Sequence, residues 1–136
     1  MGIRPTWAEV DLDAIAANVR AVRQVVDPRV KIMAVVKANA YGHGAVAVAR
    51  VAVANGADQL AVATMDEAVT LREAGIDQPI LVLGTNIPSE VLDVAVEKGI
   101  AQALCTVELA QALSAAAVRQ GKKALVHLKI DTGMSR

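Results

Sequence analysis

The segment "VKIMAVVKANAYGHGAVAVARVAVANGADQLAVAT", residues 30–64, decides the fold of this chain. A mostly apolar run at 30–36 is followed by an alanine- and valine-rich helical stretch at 44–56 and by a second apolar run at 59–64. Both runs are continuous in their apolar residues instead of alternating, which is typical of parallel strands covered on both faces. The segment therefore predicts a β-strand, a crossover helix and a second, parallel strand.

The same unit recurs along the rest of the chain. Further strands are predicted at 79–84, 101–106 and 123–130, and further helices at 65–75, 88–99 and 107–121. Each of the four crossover helices ends in a glycine that can adopt the left-handed conformation of a C-cap. Another helix is predicted at 11–28, because apolar residues recur there at steps of three and four between Asp11, a good N-cap residue, and Pro28. The fold class is α/β, with about five strands and four to five helices.

Two architectures fit this order, a doubly wound parallel sheet and a (β/α)₈ barrel. A complete barrel needs about 250 residues, so a chain of 136 residues would supply only part of one. The sequence stops at "DTGMSR", residues 131–136, directly after the fifth strand, whose edge would then be left open. We therefore expect residues 1–136 to be a truncated, single-domain part of a longer protein, with no internal domain boundary.

The composition argues against several classes of protein. A hydrophobic fraction of 54% with 21% charged residues is typical of a folded core and not of a disordered chain. Lysine plus arginine equals aspartate plus glutamate at 14 each, without a basic run, so neither nucleic acid nor an anionic membrane is expected as a partner. A single cysteine, Cys105, cannot form an internal disulfide and fits a reducing compartment. No apolar run reaches the bilayer-spanning length of about 20 residues, and residues 1–13 lack the pattern of a secretory signal, so we expect a cytoplasmic protein.

Polar side chains gather where the predicted strands end. Ligands bind at the carboxyl ends of the strands in both candidate architectures. A lysine at a strand end is ordinarily a cation that reaches solvent, but a desolvated amine can form a Schiff base with a carbonyl compound. The polar residues at or just past the five strand ends are Lys37, Thr64, Thr85, Thr106, Lys129, Asp131 and Arg136.

A competing motif overlaps the first of these strand ends. Gly42, Gly44 and Ala47 form the pattern G-x-G-x-x-A between a strand and a helix, and Asp66 and Glu67 follow roughly 20 residues later, which resembles a dinucleotide-binding fingerprint. In that fingerprint the strand runs directly into the first glycine, whereas here residues 37–41 intervene. Nucleotide binding is therefore the least favoured alternative.

Three segments carry a resemblance to a known family. "VVKANAYGHG" at 35–44 resembles the pyridoxal-phosphate attachment motif of the alanine racemases, which are fold-type III enzymes. "RPTWAEVDLDAI" at 4–15 and "KIDTGMSR" at 129–136 are similar to the N-terminal and mid-barrel segments of that family. The resemblance spans all 136 residues but only the first part of the family's length. It implies a partial (β/α)₈ barrel of the TIM type, whose later βα units and C-terminal β domain are absent from this sequence.

The resemblance implies roles for individual residues. Lys37 would carry pyridoxal 5′-phosphate as an aldimine and then act as the base at one face of the substrate α-carbon. Tyr41 would hydrogen-bond the cofactor phosphate, and His43 would shape the turn beneath the cofactor. Arg136 would contact the cofactor's phenolic oxygen and hold the substrate carboxylate with its planar guanidinium. Lys129 occupies a position that is often carbamylated in the family, and a carbamate there would pair with Arg136.

The implied activity is interconversion of L-alanine and D-alanine, which supplies D-alanine for cell-wall peptidoglycan. The family's second acid–base group is a tyrosine of the partner subunit, so a homodimer is implied, and the fragment alone is expected to be inactive. The substrate would be a small amino acid, and no metal is implied. Two alternatives stay open: a serine or broad-spectrum racemase of the same family, and a non-catalytic pyridoxal-phosphate-binding barrel. Such non-catalytic carriers generally lack the Tyr-Gly-His-Gly string found at 41–44.

Overall fold

The computed structural model describes residues 6–85 and 88–135. Five strands alternate with helices in these ranges, as predicted. The elements are α1 (Leu12–Val25), β1 (Met33–Val35), α2 (Lys37–Tyr41), α3 (Ala45–Ala54), β2 (Gln59–Val62), α4 (Met65–Glu73), β3 (Ile80–Val82), α5 (Ser89–Glu97), β4 (Ala101–Leu104), α6 (Val107–Arg119) and β5 (Val126–Leu128). None of the helices in the described ranges combines the length and the apolar character that crossing a bilayer requires.

The strand order distinguishes the two architectures. The five strands form one parallel sheet in the order β1-β2-β3-β4-β5, so each strand pairs with its neighbour in the chain. A doubly wound sheet reverses its strand order at a switch point, and this sheet has no such reversal. The fold is therefore part of a (β/α)₈ barrel, and the doubly wound alternative is wrong.

The two faces of the sheet differ in what covers them. Alternate strand residues such as Leu60, Val62, Ile80 and Val82 are at most 1% exposed and pack in one core with the crossover helices. The residues between them point to the opposite face, because side chains alternate along a strand. That face carries a second, smaller cluster of mostly small side chains, namely Ala61, Leu81, Ala101 and Ala103, with Met33 packed against it. Helices on one face and small side chains on the other are typical of a barrel wall.

Several predicted helix ends are confirmed. Asp11 is the N-cap of α1, and its Oδ1 accepts a hydrogen bond of 2.9 Å from the Ala14 amide. Thr106 caps α6 in the same way, through a 3.2 Å bond from the Leu109 amide. The glycines that follow the four crossover helices all have positive φ angles, between 60° and 112° (Gly56, Gly75, Gly99 and Gly121). Each of these helices therefore stops where the chain can reverse without a Cβ clash.

All five strands are shorter than predicted, the first and the fifth most of all. The first was expected over 30–36 and is observed at Met33–Val35, and the fifth was expected over 123–130 and is observed at Val126–Leu128. The apolar pattern records burial, whereas a strand requires ladder pairing in an extended conformation. Val36 is only 2% exposed, yet its ψ angle of 24° has already left the extended region. The element α2, which follows it, was not predicted.

A half-buried arginine ties together the amino-terminal end of the sheet. Arg72, in the last turn of α4, donates hydrogen bonds to the carbonyls of Ile76 at 2.6 Å and Gln78 at 2.7 Å, which lead into β3. It also donates to the carbonyls of Lys98 at 3.2 Å and Gly99 at 3.3 Å, which lead into β4. Burial lowers the pKa of Arg72 from its ordinary value. The guanidinium of Arg72 thus links the two segments that lead into neighbouring strands.

Replacing Arg72 with methionine keeps most of the apolar stem but removes the donor for all four carbonyls. We expect the free energy of unfolding to fall by about 2–3 kcal/mol, since the lost bonds involve a charged donor in a partly solvated site. Urea unfolding measures the change. Arg50→Met is the matched control, because Arg50 donates to one carbonyl only among those of the described residues, that of Ala74 at 2.8 Å. An equal loss of unfolding free energy in Arg72→Met and Arg50→Met would contradict the bridging role of Arg72.

Candidate functional site

A cavity of about 370 Å³ opens at the carboxyl ends of the strands. Lys37, after β1, and Lys129, after β5, both line it, so the structure brings these two predicted residues together. The remaining lining residues are Ala63, Leu83, Gly84, Thr85 and Met134. The cavity thus joins two lysine side chains to a wall of small and apolar residues.

Gly84 shapes the wall between the two lysines. A Cβ at this position would lie 2.5 Å from the carbonyl oxygen of Ala63, so no other residue fits without moving the backbone. Gln102 is fully buried and donates from Nε2 to the Gly84 carbonyl at 2.5 Å and to that of Ala103 at 3.0 Å. The sequence interpretation overlooked Gln102, although a glutamine inside the apolar run "AQALCT" was the available signal. Its amide holds the backbone of the cavity wall in place.

The chain forms a left-handed turn directly after Lys37. Residues 38–41 all have φ angles between 51° and 54°, and the ψ angles of 38–40 lie between 45° and 49°. Each L-residue in this conformation costs roughly 1–2 kcal/mol, and glycine or asparagine usually occupies it singly. Only Asn39 is of such a type here. The sequence interpretation missed this turn, because Ala38, Ala40 and Tyr41 carry no local signal for it.

Hydrogen bonds hold the carboxyl end of the turn. The Gly42 amide donates to the carbonyls of Ala38 at 3.0 Å and Asn39 at 3.1 Å, and the Gly44 amide donates to Asn39 at 2.9 Å. The Asn39 side chain accepts from the Ala45 amide at 2.8 Å, which links the turn to the start of α3. The glycines therefore serve the turn and the helix start, which counts against their reading as a nucleotide-binding loop.

His43 lies within the same network. Its amide donates to the Ala40 carbonyl at 3.0 Å, and its Nδ1 lies 2.9 Å from that same oxygen. Both contacts hold the imidazole against the turn. This geometry fits the interpretation that His43 shapes the turn.

A glutamate holds the beginning of the turn. The Ala38 amide donates to Glu67 Oε1 at 2.6 Å. Glu67 Oε2 accepts from the amides of Ala63 at 2.7 Å and Thr64 at 3.2 Å, at the end of β2. In the competing motif this acid would have bound a ribose hydroxyl, whereas here its carboxylate is engaged by three backbone amides.

Not all of the residues predicted to bind or position the cofactor line the cavity. Lys37 Nζ lies 6.0 Å from the centroid of the Tyr41 ring, which is the outer limit of a cation–π contact. Tyr41 is 61% exposed and stands beside the cavity, not in its lining. Lys129 is fixed at the sheet edge by a 2.7 Å bond from its amide to the Leu104 carbonyl. Arg136 lies outside the described residues.

Asp131 orders the loop that follows β5. Its Oδ1 accepts from the amides of Gly133 at 2.8 Å and Ser135 at 3.0 Å. These backbone hydrogen bonds, that from Ser135 first, lower the pKa of the Asp131 carboxyl group from its ordinary value. The loop they shape places Met134 against the cavity.

Comparison with known proteins assigns the family. The profile described as "Alanine racemase, N-terminal domain" matches residues 10–136. The alanine racemase of Symbiobacterium thermophilum is 54% identical over 135 residues, which are 99% of this chain and 35% of that protein. The alanine racemase of Methanococcus maripaludis is 48% identical over 132 residues, 97% of this chain and 35% of that protein. The chain thus spans about a third of the length of these relatives.

Solved structures agree with the sequence relatives. The alanine racemase of Clostridium difficile 630 superposes with a TM-score of 0.93 at 40% identity, over 100% of this chain and 35% of that one. A histidine racemase from Leuconostoc mesenteroides subsp. sake superposes with a TM-score of 0.84 at 34% identity, over 93% of this chain and 34% of that one. Both matches have the fold described above.

Because of the left-handed turn, we expect replacement of alanine by glycine to change the free energy of unfolding in opposite directions at two sites. Ala38→Gly should raise the free energy of unfolding by about 0.5–1 kcal/mol, because relief of the left-handed strain exceeds the extra chain entropy of glycine. Ala17→Gly, at an exposed position within the right-handed helix α1, should lower it by about 1 kcal/mol. Urea or thermal unfolding of the two variants compares them. Loss of stability in both would contradict the strained conformation at Ala38.

Proposed function

The chain belongs to the alanine racemase family, and from this premise we propose that it is the N-terminal part of a pyridoxal-phosphate-dependent enzyme that interconverts L-alanine and D-alanine. The observation that carries the proposal is the place of Lys37. Its primary amine lines a cavity of about 370 Å³ at the carboxyl ends of a parallel sheet, where barrel enzymes bind their ligands. The identity of 48–54% to proteins named alanine racemase supports the choice of substrate.

The residues around the cavity fit a phosphorylated aromatic aldehyde. Lys37 offers the amine that an aldehyde requires for covalent attachment. Lys129 lines the same cavity, and the absence of a Cβ at Gly84 lets the backbone carbonyl of Ala63 approach closely there. When bound, the cofactor supplies the electron sink that stabilises negative charge at the substrate α-carbon.

The chain's own residues would bind the cofactor, orient the substrate and move a proton. Lys37 Nζ would serve one face of the α-carbon, removing a proton there in one direction of the reaction and delivering one there in the other. Tyr41, whose side chain is 61% exposed beside Lys37, would donate its phenolic hydroxyl to the phosphate. Arg136 would hold the substrate carboxylate and the cofactor's phenolic oxygen, because its planar fork matches a carboxylate better than an ammonium does.

Carbamylation of Lys129 would change the charge at the cavity. An unmodified Lys129 would add a second cation to the guanidinium that we propose for the site, that of Arg136. A carbamate on Lys129 Nζ would be an anion, and it would attract the Arg136 guanidinium instead of repelling it. We therefore include this modification in the proposal, with the positioning of Arg136 as its effect.

The second proton-transfer group must come from elsewhere. Racemisation needs groups on both faces of the α-carbon, and Tyr41 is the only tyrosine in these 136 residues. We propose that the opposite-face group is a tyrosine of the partner subunit in a cytoplasmic homodimer. The later barrel units and the C-terminal β domain would supply the remaining contacts, and the product would serve cell-wall peptidoglycan.

A racemase with another or a broader substrate range is the second candidate. The observation that favours it is the match to a histidine racemase at 34% identity with a TM-score of 0.84. The barrel wall described here is therefore compatible with more than one substrate side chain. Parallel assays with L-alanine, L-serine and L-histidine distinguish these activities, and turnover of none of them would favour a non-catalytic pyridoxal-phosphate-binding barrel.

Covalent attachment gives the direct test of Lys37. The full-length protein, loaded with pyridoxal phosphate and treated with borohydride, should carry the reduced cofactor at Lys37 in a peptide map. Lys37→Ala should abolish this label, and Lys31→Ala, at an exposed lysine six residues earlier, should leave it unchanged. A label mapped to a different lysine of the wild-type protein would refute the assignment.

The 136 residues by themselves should not racemise alanine. They contain no tyrosine besides Tyr41, and the five strands supply only part of the barrel that encloses the cofactor in our proposal. D-alanine is measured after incubation with L-alanine and pyridoxal phosphate, with the slow reaction of free cofactor subtracted. Turnover well above that background, abolished by Lys37→Ala, would show that the two-base account is wrong.

A further inference from the structure

We infer that Glu67 is the positioning residue of Lys37: its carboxylate holds the amide that follows the lysine against the end of the neighbouring strand. The inference deepens the proposed function, on which it rests only for the role of Lys37. Glu67 is not one of the residues that line the cavity, and its carboxylate accepts only from backbone amides in the described contacts, including that of the lining residue Ala63. It would act through the backbone alone.

The carboxylate continues the pairing of β1 with β2 beyond the point where the ladder ends. The last ladder-type bond runs from the Val36 amide to the Ala61 carbonyl at 2.8 Å. One residue after Lys37 the chain has turned into the left-handed region, and the Ala38 amide donates to Glu67 Oε1 at 2.6 Å. Glu67 Oε2 accepts from the Ala63 amide at 2.7 Å. Lys37 thus lies between two anchors, a strand bond before it and a carboxylate bond after it.

Helix capping explains only part of this arrangement. Glu67 is the third residue of α4 and forms a reciprocal capping box with Thr64, whose Oγ1 accepts from the Glu67 amide at 3.4 Å. A capping box uses the glutamate to accept from the N-cap amide, which here is the 3.2 Å bond to the Thr64 amide. The bond from the Ala38 amide, 29 residues away in the sequence, is not needed for the capping of α4.

The strain in the turn explains the additional bond from Ala38 to Glu67. Four consecutive L-residues in the left-handed region are held there only if the surrounding structure favours it. The carboxyl end of the turn is bound by its own backbone and by Asn39. At the amino end, Glu67 provides the side-chain acceptor. Without it, the turn could relax toward ordinary dihedral angles, and the direction of the Lys37 side chain would change with it.

The test compares Glu67→Gln with Asp11→Ala in the full-length protein. A glutamine keeps the length of the side chain but has one oxygen, so its amide group would face either Ala38 or the β2 end with the wrong polarity. Asp11→Ala removes another carboxylate that caps a helix, at a site far along the chain from Lys37. Asp11→Ala loses only a helix cap, whereas Glu67→Gln keeps a residue type that a capping box accepts and loses the carboxylate that joins Ala38 to the end of β2.

Three readouts are measured. In the cofactor-free protein, hydrogen exchange of the Ala38 amide should be about tenfold or more faster in Glu67→Gln, because a bond to a charged acceptor is lost. With pyridoxal phosphate present, borohydride trapping at Lys37 should slow by a similar factor. The induced circular dichroism of the bound cofactor should change as well, since it reports the orientation of the ring. Asp11→Ala should match the wild-type protein in all three.

Wild-type exchange at Ala38 together with wild-type trapping at Lys37 in Glu67→Gln would overturn the inference. If Glu67→Gln does not fold, Ala38→Gly is added, because glycine adopts the left-handed conformation without strain. The double variant should fold, and exchange of the amide at position 38 should still be about tenfold faster than in Ala38→Gly alone, because the bond to Glu67 is missing. Equal exchange in these two variants would overturn the inference. Absence of the label at Lys37 in the wild-type protein would instead refute the proposed function, while exchange at Ala38 would still decide the role of Glu67.

Discussion

The apolar layer between the sheet and its helices is the constraint on which the rest of the molecule depends. Leu60, Val62, Ile80 and Val82 are at most 1% exposed, and burial of each such side chain is worth about 1.5–3 kcal/mol. Because alternate residues of β2, β3 and β4 enter this layer, the register of these three strands follows from it. The register in turn places the carboxyl ends of the strands at one edge of the sheet. Side chains there are not needed for the core and can bind a ligand.

That rigid wall can support a strained segment. Ala38, Ala40 and Tyr41 together cost on the order of 3–6 kcal/mol in the left-handed conformation, which approaches the whole stability of many domains. The segment persists because it is bonded at both ends, by Glu67 before it and by Gly42, Gly44 and Ala45 after it. Strain of this kind tends to occur at functional sites, and here it adjoins Lys37, the residue that the proposed chemistry uses.

The same edge of the sheet concentrates basic groups. Lys37 and Lys129 line one cavity, although they are far apart in the sequence and follow opposite ends of the strand order. With the proposed carbamate on Lys129, the guanidinium of Arg136 that it attracts would be the cation of the site, and together with the Lys37 amine it would favour an anionic ligand of modest size. A phosphorylated cofactor and an amino-acid carboxylate both have that chemistry, which is why the cavity supports the proposed function beyond the presence of a reactive amine.

The sequence by itself determined the α/β class, the number of strands, the four crossover helices and the position of Lys37 and Lys129 at strand ends. These features follow from local patterns: apolar runs, helical periodicity, N-caps such as Asp11 and the glycines that end helices. The motif around Lys37 also pointed to the family that the comparisons later showed.

The apolar patterns left the strand order open, and only the family resemblance implied a barrel. The tertiary structure decided that order, the left-handed turn and the contacts of Glu67. The order of the strands depends on which strands pair, and the apolar pattern of each strand is the same in a barrel and in a doubly wound sheet. The turn at 38–41 contradicts the local preferences of alanine and tyrosine, so it exists only because distant groups hold it. Glu67 lies 29 residues from Ala38, and its sequence context indicates only a helix start; the contact between them arises because pairing of β1 with β2 brings the two strand ends together.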